Sequence, residues 1–289
     1  MGQEDRREAV ARSAPGTAVH EQVEILGAAA HLLGCRHTPD GEPRAAVLVC
    51  TAPPLDHPVD AGRTARLGRH LARAGVAVQR FGSLDPDAPP GGAAAVGVDA
   101  LVEDARGALE LLRDRCPVER VGLLGIRLGA LVAARLARAL PAAPLALWQP
   151  ATRPRAVLEE AARARAAAPG SPTLDVLGTR LGAELAEGAL VGGLVDELGP
   201  EPRPLLVAWT AAEGAGAAAG DVARCRARGF PVEELTVPCD GDRAGRPVPV
   251  ATPDELVERT TTWFARHLMG TAAVAPAVRI TSVDVGEAS

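Results

Sequence analysis

The residues best placed to do chemistry surround Arg127. Gly125 and Gly129 flank it in the pattern G-x-R-x-G, where an apolar run beginning at Val121 passes into an apolar helical pattern ending at Leu140. Small residues at these positions permit a sharp strand-to-helix turn that presents its central side chain, and enzymes with this turn place a serine nucleophile there. A guanidinium stays protonated and is not a nucleophile. The spacing therefore predicts a nucleophile-type turn with a cation at its centre.

A serine mechanism also needs an acid and a histidine, and the sequence supplies them only in part. Glu213 is the first carboxylate after the apolar run 205–209, where the acid is expected. The loop 238–252, where the histidine is expected, contains none. His267 is predicted to lie at the surface near the end of the last helix. The sequence thus predicts the frame of a hydrolase without two of its three catalytic residues.

Arg127 has two interpretations. A cation at a helix N-terminus faces the positive end of the helix dipole and needs a compensating anion. In the first interpretation, Arg127 and the helix amides bind a carboxylate or phosphate group of a ligand. In the second, a carboxylate such as Glu213 or Asp85 pairs with Arg127 and holds the site closed.

Other nucleophiles are weaker candidates. Ser83 lies in a loop on the expected pocket side with Asp85 beside it, but no base is placed for it, and Asp85 before Pro86 is also typical of a turn cap. Cys50 ends an apolar strand with His57 seven residues on, yet a buried structural thiol and a surface histidine are the preferred interpretation.

Metals and cofactors are not predicted. The loop containing Cys239, Asp240 and Asp242 has no second ligand set at zinc-like spacing. The chain contains no lysine, which excludes a Schiff base with pyridoxal phosphate and a P-loop lysine. The first strand-to-helix turn, which begins at Thr51, has no GxGxxG, so a dinucleotide site there is not expected.

Apolar strands alternate with amphipathic helices along most of the chain. Ala45–Cys50 and 121–125 are continuously apolar, as in strands buried on both faces, and helical spacing separates such runs. Residues 22–35 predict an antiparallel hairpin, with a turn at 37–41. This order predicts an α/β fold with a mostly parallel central sheet and helices on both faces.

Two motifs together resemble the exosortase A system-associated hydrolases of the second type. They are the segment 122–133, which contains the Arg127 turn, and Leu-Trp-Gln-Pro at 147–150. The resemblance extends over most of residues 22–269. It implies an α/β-hydrolase fold with Arg in place of the elbow serine, and a hydrolase label that rests mainly on the fold.

The domain organisation follows from composition. Residues 1–21 are predicted to be a flexible arm, 22–270 an α/β-hydrolase-like domain, and 271–289 a weakly ordered tail. Within the domain, residues 151–200 are rich in Ala, Arg and Leu at helical spacing without a clear strand, and predict a small helical cap.

The ligand is expected at the carboxyl ends of the strands, where α/β sheets place their sites. The residues predicted to line this site are Pro53, Pro54, Ile126, Leu128, Trp148, Gln149 and Trp209. For the tryptophans, a role as core filler is the alternative.

The charge and the cysteine content indicate which classes of partner and which compartment to expect. The formal net charge of −5 gives no basic footprint for nucleic acid, and no apolar run is long enough for membrane insertion. Five cysteines without a CxxC pair, and no visible signal sequence, favour a reduced, cytoplasmic setting. A small-molecule acyl or anionic ligand is the predicted partner, and a homodimer is left open.

Two functions remain: acting on or binding an acyl, ester or thioester compound through Arg127, or serving as a non-catalytic binding module.

Overall fold

An eight-stranded sheet forms the centre of the computed structural model, which describes residues 18–26, 32–51, 58–83, 98–150, 174–176, 179–181, 193–210, 215–237 and 254–270. Its strands are β1 Val19–Leu26, β2 Leu32–Pro39, β3 Ala45–Cys50, β4 Val76–Ser83, β5 Val121–Ile126, β6 Leu145–Trp148, β9 Leu205–Thr210 and β10 Val232–Val237. Their order across the sheet is β1-β2-β4-β3-β5-β6-β9-β10. The six strands from β4 to β10 run parallel, whereas β1 and β2 form an antiparallel hairpin at one edge. The predicted α/β fold is thereby confirmed.

Helices cover both faces of this sheet. They are α1 Pro58–Arg73, α2 Val98–Arg115, α3 Gly129–Ala137, α4 Leu194–Glu197, α5 Ala215–Ala227 and α6 Glu255–Met269. One core cluster joins the sheet to α2, α3 and α5, and we call this side the α2/α3 face. The second cluster joins it to α1 and α6, which we call the α1/α6 face. Successive residues of β3 alternate between the two clusters, as a strand buried on both sides requires.

Some boundaries differ from the sequence predictions. His37, Thr38 and Pro39 belong to strand β2 rather than to a turn, because they pair in register with β1. The last helix begins at Glu255, two residues after Pro253, where the sequence predicts its first residue, since Asp254 is its N-cap and accepts a hydrogen bond from the backbone amide of Val257. Two short antiparallel strands, β7 Leu174–Val176 and β8 Thr179–Leu181, lie in the interval where the sequence showed helical spacing alone.

Helix α3 is shorter than its apolar pattern, which extends to Leu140. The buried guanidinium of Arg203, whose residue is only 2% exposed, donates from Nη1 to the backbone carbonyls of Ala137 and Leu140. The amides of Leu140 and Ala143 also donate to these two carbonyls, so Arg203 adds a second, charged donor to each. A side chain 63 residues beyond Leu140 thus binds the end of the helix.

Arg203→Met is expected to lower the free energy of unfolding by about 2–3 kcal/mol, because it removes a buried charged donor that two carbonyls at the end of α3 share. Urea unfolding monitored by circular dichroism measures this loss. Arg226→Met is the matched control: Arg226 is half-exposed and pairs with Glu234, so its loss should change stability by less than about 0.5 kcal/mol. Equal losses in the two variants would contradict the capping role.

Candidate ligand site at the β5–α3 turn

Arg127 occupies the sharp turn between β5 and α3. Its φ of 50° lies in the left-handed region, which is uncommon for a residue with a side chain. Its amide donates to the carbonyl of Trp148 on the neighbouring strand (3.0 Å), which ties the turn to the end of β6. The structure therefore gives Arg127 the strained backbone of a nucleophile elbow and leaves its side chain half-buried at the carboxyl edge of the sheet.

The two flanking glycines are required by close backbone contacts. A Cβ on Gly125 would lie 2.5 Å from the Cα of Ala130, and one on Gly129 would lie 2.2 Å from the carbonyl oxygen of Cys50. Both contacts are with backbone, which cannot turn aside as a flexible side chain can. The first turn of α3 thus packs directly on the ends of β3 and β5, as the glycine spacing predicts.

A second strained residue stands beside Arg127. Gln149 follows β6 with a φ of 46°, and its amide donates to the carbonyl of Ala208 on β9 (2.8 Å). Ile126 and Trp148 are partners in the strand register, so Arg127 and Gln149 are the next residues on adjacent strands. Both side chains are half-buried, and each makes a further polar or electrostatic contact. Strained residues cluster at functional sites, where the surrounding structure holds them in place.

The amino end of α3 adds hydrogen-bond donors next to Arg127. The amide of Ala130 donates to the carbonyl of Arg127 (3.2 Å), whereas the amides of Leu128 and Gly129 find no acceptor among the described residues. Leu128 is the N-cap and makes no side-chain cap hydrogen bond. The first amides and the dipole of a helix favour a negative charge at this end. Arg127 brings a permanent cation to the same turn, and both features suit a carboxylate or phosphate.

Thr51 is a further polar residue at this turn, and the sequence did not single it out as a candidate. It directly follows β3, is half-buried, and donates from Oγ1 to the carbonyl of Phe81 (3.2 Å). Its Cα would lie 3.0 Å from a Cβ at Gly129, so it borders the amino end of α3. Its position directly after an apolar strand could have indicated that it lies at the carboxyl edge of the sheet.

The apolar residues predicted to line the site lie mainly in the core. Ile126, Leu128 and Trp148 are each 1% exposed, and Trp209 is 5% exposed. Trp148 points into the α1/α6 face, where its Nε1 donates to Oγ1 of Thr260 (3.0 Å). Trp148 is therefore a core residue, which is the alternative that the sequence left open for it.

Four predicted site residues lie outside the described residues: Pro53, Pro54, Asp85 and Glu213. Ser83 is the last residue of β4, two strands away from β5 in the sheet, and only its backbone is described. His267 lies in the last turn of α6, where Nε2 is 3.3 Å from Oε1 of Glu233. It lines a cavity of about 410 Å³ that includes Val121, the first residue of β5, and so lies at the opposite edge of the sheet from Arg127.

The Cys50 thiol is a structural group. It is fully buried, and burial raises its pKa to about 12, so it is protonated at neutral pH. His57, the base that the sequence offered for it, lies outside the described residues. The buried-cysteine interpretation agrees with this environment.

A separate polar cluster surrounds His37 on β2. His37 is fully buried, Nε of Arg80 donates to its Nε2 (3.0 Å), and Sγ of Cys35 lies 3.7 Å from that nitrogen. Oε1 of Glu21 is 3.7 Å from Nδ1 and accepts from Arg69. A metal ion would be within reach of ligand atoms from Glu21, Cys35 and His37. The guanidinium of Arg80, however, already donates to the imidazole nitrogen Nε2. With two arginines adjacent, we interpret the cluster as a hydrogen-bonded core element.

Acid is expected to destabilise the protein through His37. Burial, helped by the charge of Arg80, lowers its pKa from 6.5 to about 4. As pH falls through this interval the unfolded chain takes up the proton first, so the free energy of unfolding falls, by at most about 3 kcal/mol for this group. His37→Gln should flatten the dependence between pH 6.5 and 4 in urea unfolding curves. His20→Gln, at an exposed histidine beside Asp40, should leave it as steep as in the wild type, and a wild-type slope in His37→Gln would contradict the assignment.

Solved structures with the same architecture are α/β-hydrolases. Est1E from Butyrivibrio proteoclasticus superposes with a TM-score of 0.58 at 13% identity, over 85% of this chain and 98% of that one. A putative α/β hydrolase of unknown function from Agrobacterium tumefaciens gives 0.57 at 16% identity, over 89% and 100%. Esterase B from Lactobacillus rhamnosis gives 0.56 at 14% identity, over 86% and 85%. No family model and no curated protein matches the sequence. At these identities the likeness shows the α/β-hydrolase fold. No helix among the described residues is long and apolar enough to cross a membrane.

Proposed function

We propose that the protein binds a small acyl compound carrying a carboxylate or phosphate group at the β5–α3 turn, with Arg127 as the main anchor, and that it is not a serine hydrolase. One observation carries the proposal. The residue held in the left-handed turn at the amino end of α3, where hydrolases present a nucleophile, is a permanent cation. A guanidinium at that point gains free energy from an anion and cannot attack an ester.

The surrounding groups support this ligand class. Arg127 offers a planar fork of N–H donors that matches a carboxylate or phosphate in two parallel hydrogen bonds. The amides of Leu128 and Gly129 add two donors on the helix side, and Gln149 and Thr51 add polar side chains on either side of the turn. The acyl part of the proposal is supported by the fold, since two solved structures that share it are named as esterases. The resemblance to exosortase A system-associated hydrolases points to the same class.

The competing function is a non-catalytic module in which a carboxylate of the chain itself neutralises Arg127. The site's chemistry favours this as a second candidate, because a cation at the positive end of a helix needs an anion in the free protein as well. Asp85 and Glu213 are the carboxylates that the sequence suggests for that role. Such a protein would keep the fold for binding partners other than small anions.

Two assays on the same preparations separate these functions. Purified wild-type protein and Arg127→Ala are titrated calorimetrically with short-chain and medium-chain carboxylates and acyl phosphates, and are assayed for turnover of p-nitrophenyl esters and CoA thioesters. We expect saturable binding by the wild type that is lost in Arg127→Ala. Turnover abolished by the same substitution would extend the proposal to a non-serine reaction. Absence of both binding and turnover, with folding intact by circular dichroism, would overturn it in favour of the non-catalytic module.

A further inference from the structure

Strand β1 forms one edge of the sheet. It pairs with β2 along one side, from Val19 opposite Pro39 to Leu26 opposite Leu32, and no described strand pairs along its other side. An edge strand of eight residues presents a row of backbone donors and acceptors that can accept another strand. Proteins that do not use such an edge usually blunt it with charge, proline or a covering segment.

An apolar patch lies on this edge hairpin. Val23 is 67% exposed, Ile25 62% and Leu33 45%, and these are the large exposed hydrophobic side chains among the described residues. Ile25 pairs directly with Leu33 in the register, and Val23 lies two residues before Ile25, so all three share one face of the hairpin. We call these three residues the β1 patch. Apolar side chains gathered in this way, rather than scattered singly, mark an interaction surface.

The patch begins where the cover of α1 ends. Further along the same face, Arg69 of α1 binds Glu21, and the ring of His37 packs against Gly68. Val23 and Ile25 extend beyond these contacts towards the carboxyl edge of the sheet, because Leu33 pairs with Gly82 near the end of β4. The α1/α6 face is thus covered over its centre and left exposed at its β1 corner.

We propose that a second copy of this chain covers the patch, with β1 of each copy paired antiparallel about a twofold axis at Val23. In this register Val23 lies opposite its own copy, Gln22 lies opposite Glu24, and Glu21 lies opposite Ile25. The amide of Gln22 faces a carboxylate, and no like charges are directly opposed. Because the paired residues have the same parity in the strand, the two patches lie on the same side of the joined sheet and become continuous.

The other edge of the sheet is less suited to self-pairing. Strand β10 carries the consecutive exposed residues Glu233 and Glu234. Glu233 is already bound by Arg266 and by the indole N–H of Trp263. Strand β1 also carries two glutamates, Glu21 and Glu24, each bound by an arginine. It differs from β10 in the large exposed apolar side chains of Val23 and Ile25, which the described residues of β10 lack. Hydrophobicity therefore favours β1 as the dimer edge.

The twofold position of Val23 makes the proposal testable by charge. We expect the wild type to shift from monomer to dimer in sedimentation equilibrium over about two orders of magnitude in concentration, since one strand pair with three side chains is a small interface. Val23→Glu and Val23→Lys should each be monomeric, because a like charge then faces itself across the axis. An equimolar mixture of the two variants should recover a dimer.

Disulfide cross-linking tests the same pairing and does not require a high affinity between the two copies. Directly opposed residues in an antiparallel pair have Cα atoms about 4.5–5.5 Å apart, within the range a disulfide spans. Cys35 lies directly opposite position 23 on β2 and would compete for the new thiol, so both variants are made in a Cys35→Ala background. There Val23→Cys should form a cross-linked dimer under mild oxidation, whereas Val19→Cys, four residues from the axis, should not. A wild type that stays monomeric at all concentrations, or a Val23→Glu protein that still dimerises, would overturn the proposal.

Discussion

Arg127→Gly is expected to abolish ligand binding while leaving the protein as stable as the wild type, or more stable. A non-glycine residue in the left-handed region costs about 1 kcal/mol or more, and glycine removes that cost. The greater freedom of glycine in the unfolded chain offsets about 0.5–1 kcal/mol of the gain. The net change in the free energy of unfolding should therefore lie between zero and about 1 kcal/mol of stabilisation.

The effect on binding should be large and of opposite sign. Removing a charged hydrogen-bonding partner costs about 2 kcal/mol or more, which is at least about a 30-fold increase in Kd. Ala142→Gly is the matched control, since Ala142 has a φ of 60° in the turn before β6, beside Val121 at the opposite edge of the sheet. It should change stability in the same direction and leave binding unaltered. Arg127→Gly that binds normally, or unfolds easily, would contradict the role assigned to Arg127.

Gly129→Ala is expected to destabilise the fold severely. The added methyl group would lie 2.2 Å from the carbonyl oxygen of Cys50, so either α3 or the end of β3 must move. We expect a loss of about 3 kcal/mol or more, at the upper end for overpacking, because the clash is with backbone. Loss of the cooperative transition in thermal unfolding would be the extreme form of this result.

Gly107→Ala provides the control of opposite sign. Gly107 lies in the middle of α2, and a Cβ there would meet nothing within 4 Å. Alanine should raise the free energy of unfolding by about 0.5–1 kcal/mol through its helix propensity. If the two substitutions change stability by similar amounts, then the close approach of α3 to β3 is not the reason for Gly129.

The sequence predicted the sheet because its strands are marked locally. Ala45–Cys50 and the run at 121–126 are continuously apolar and are bounded by polar or turn residues, which is typical of parallel strands covered on both faces. The elbow was equally visible, since only glycine fits at 125 and 129 where backbones nearly touch. The α/β-hydrolase fold of the solved structures with the same architecture agrees with both signals.

What the sequence missed depends on distant partners. Nothing local marks Gln149 as left-handed; its conformation accompanies a hydrogen bond to Ala208, 59 residues away. The cluster around His37 joins residues of β1, β2, β4 and α1, and the end of α3 is bound by Arg203, 63 residues beyond Leu140. Trp148 belongs to a strand buried on both faces, so no alternation of polarity indicates which face its indole takes.

An NMR titration of the amide groups at the amino end of α3 tests whether an anion binds at the β5–α3 turn. Isotope-labelled wild-type protein and Arg127→Met are titrated with butyrate and with inorganic phosphate while the amide signals of Leu128 and Gly129 are followed. We expect saturable shifts of both signals in the wild type and none in the variant, because the guanidinium and these amides hold the same anion. Signals that do not move in the wild type, or that move equally in Arg127→Met, would contradict an anion site at this turn.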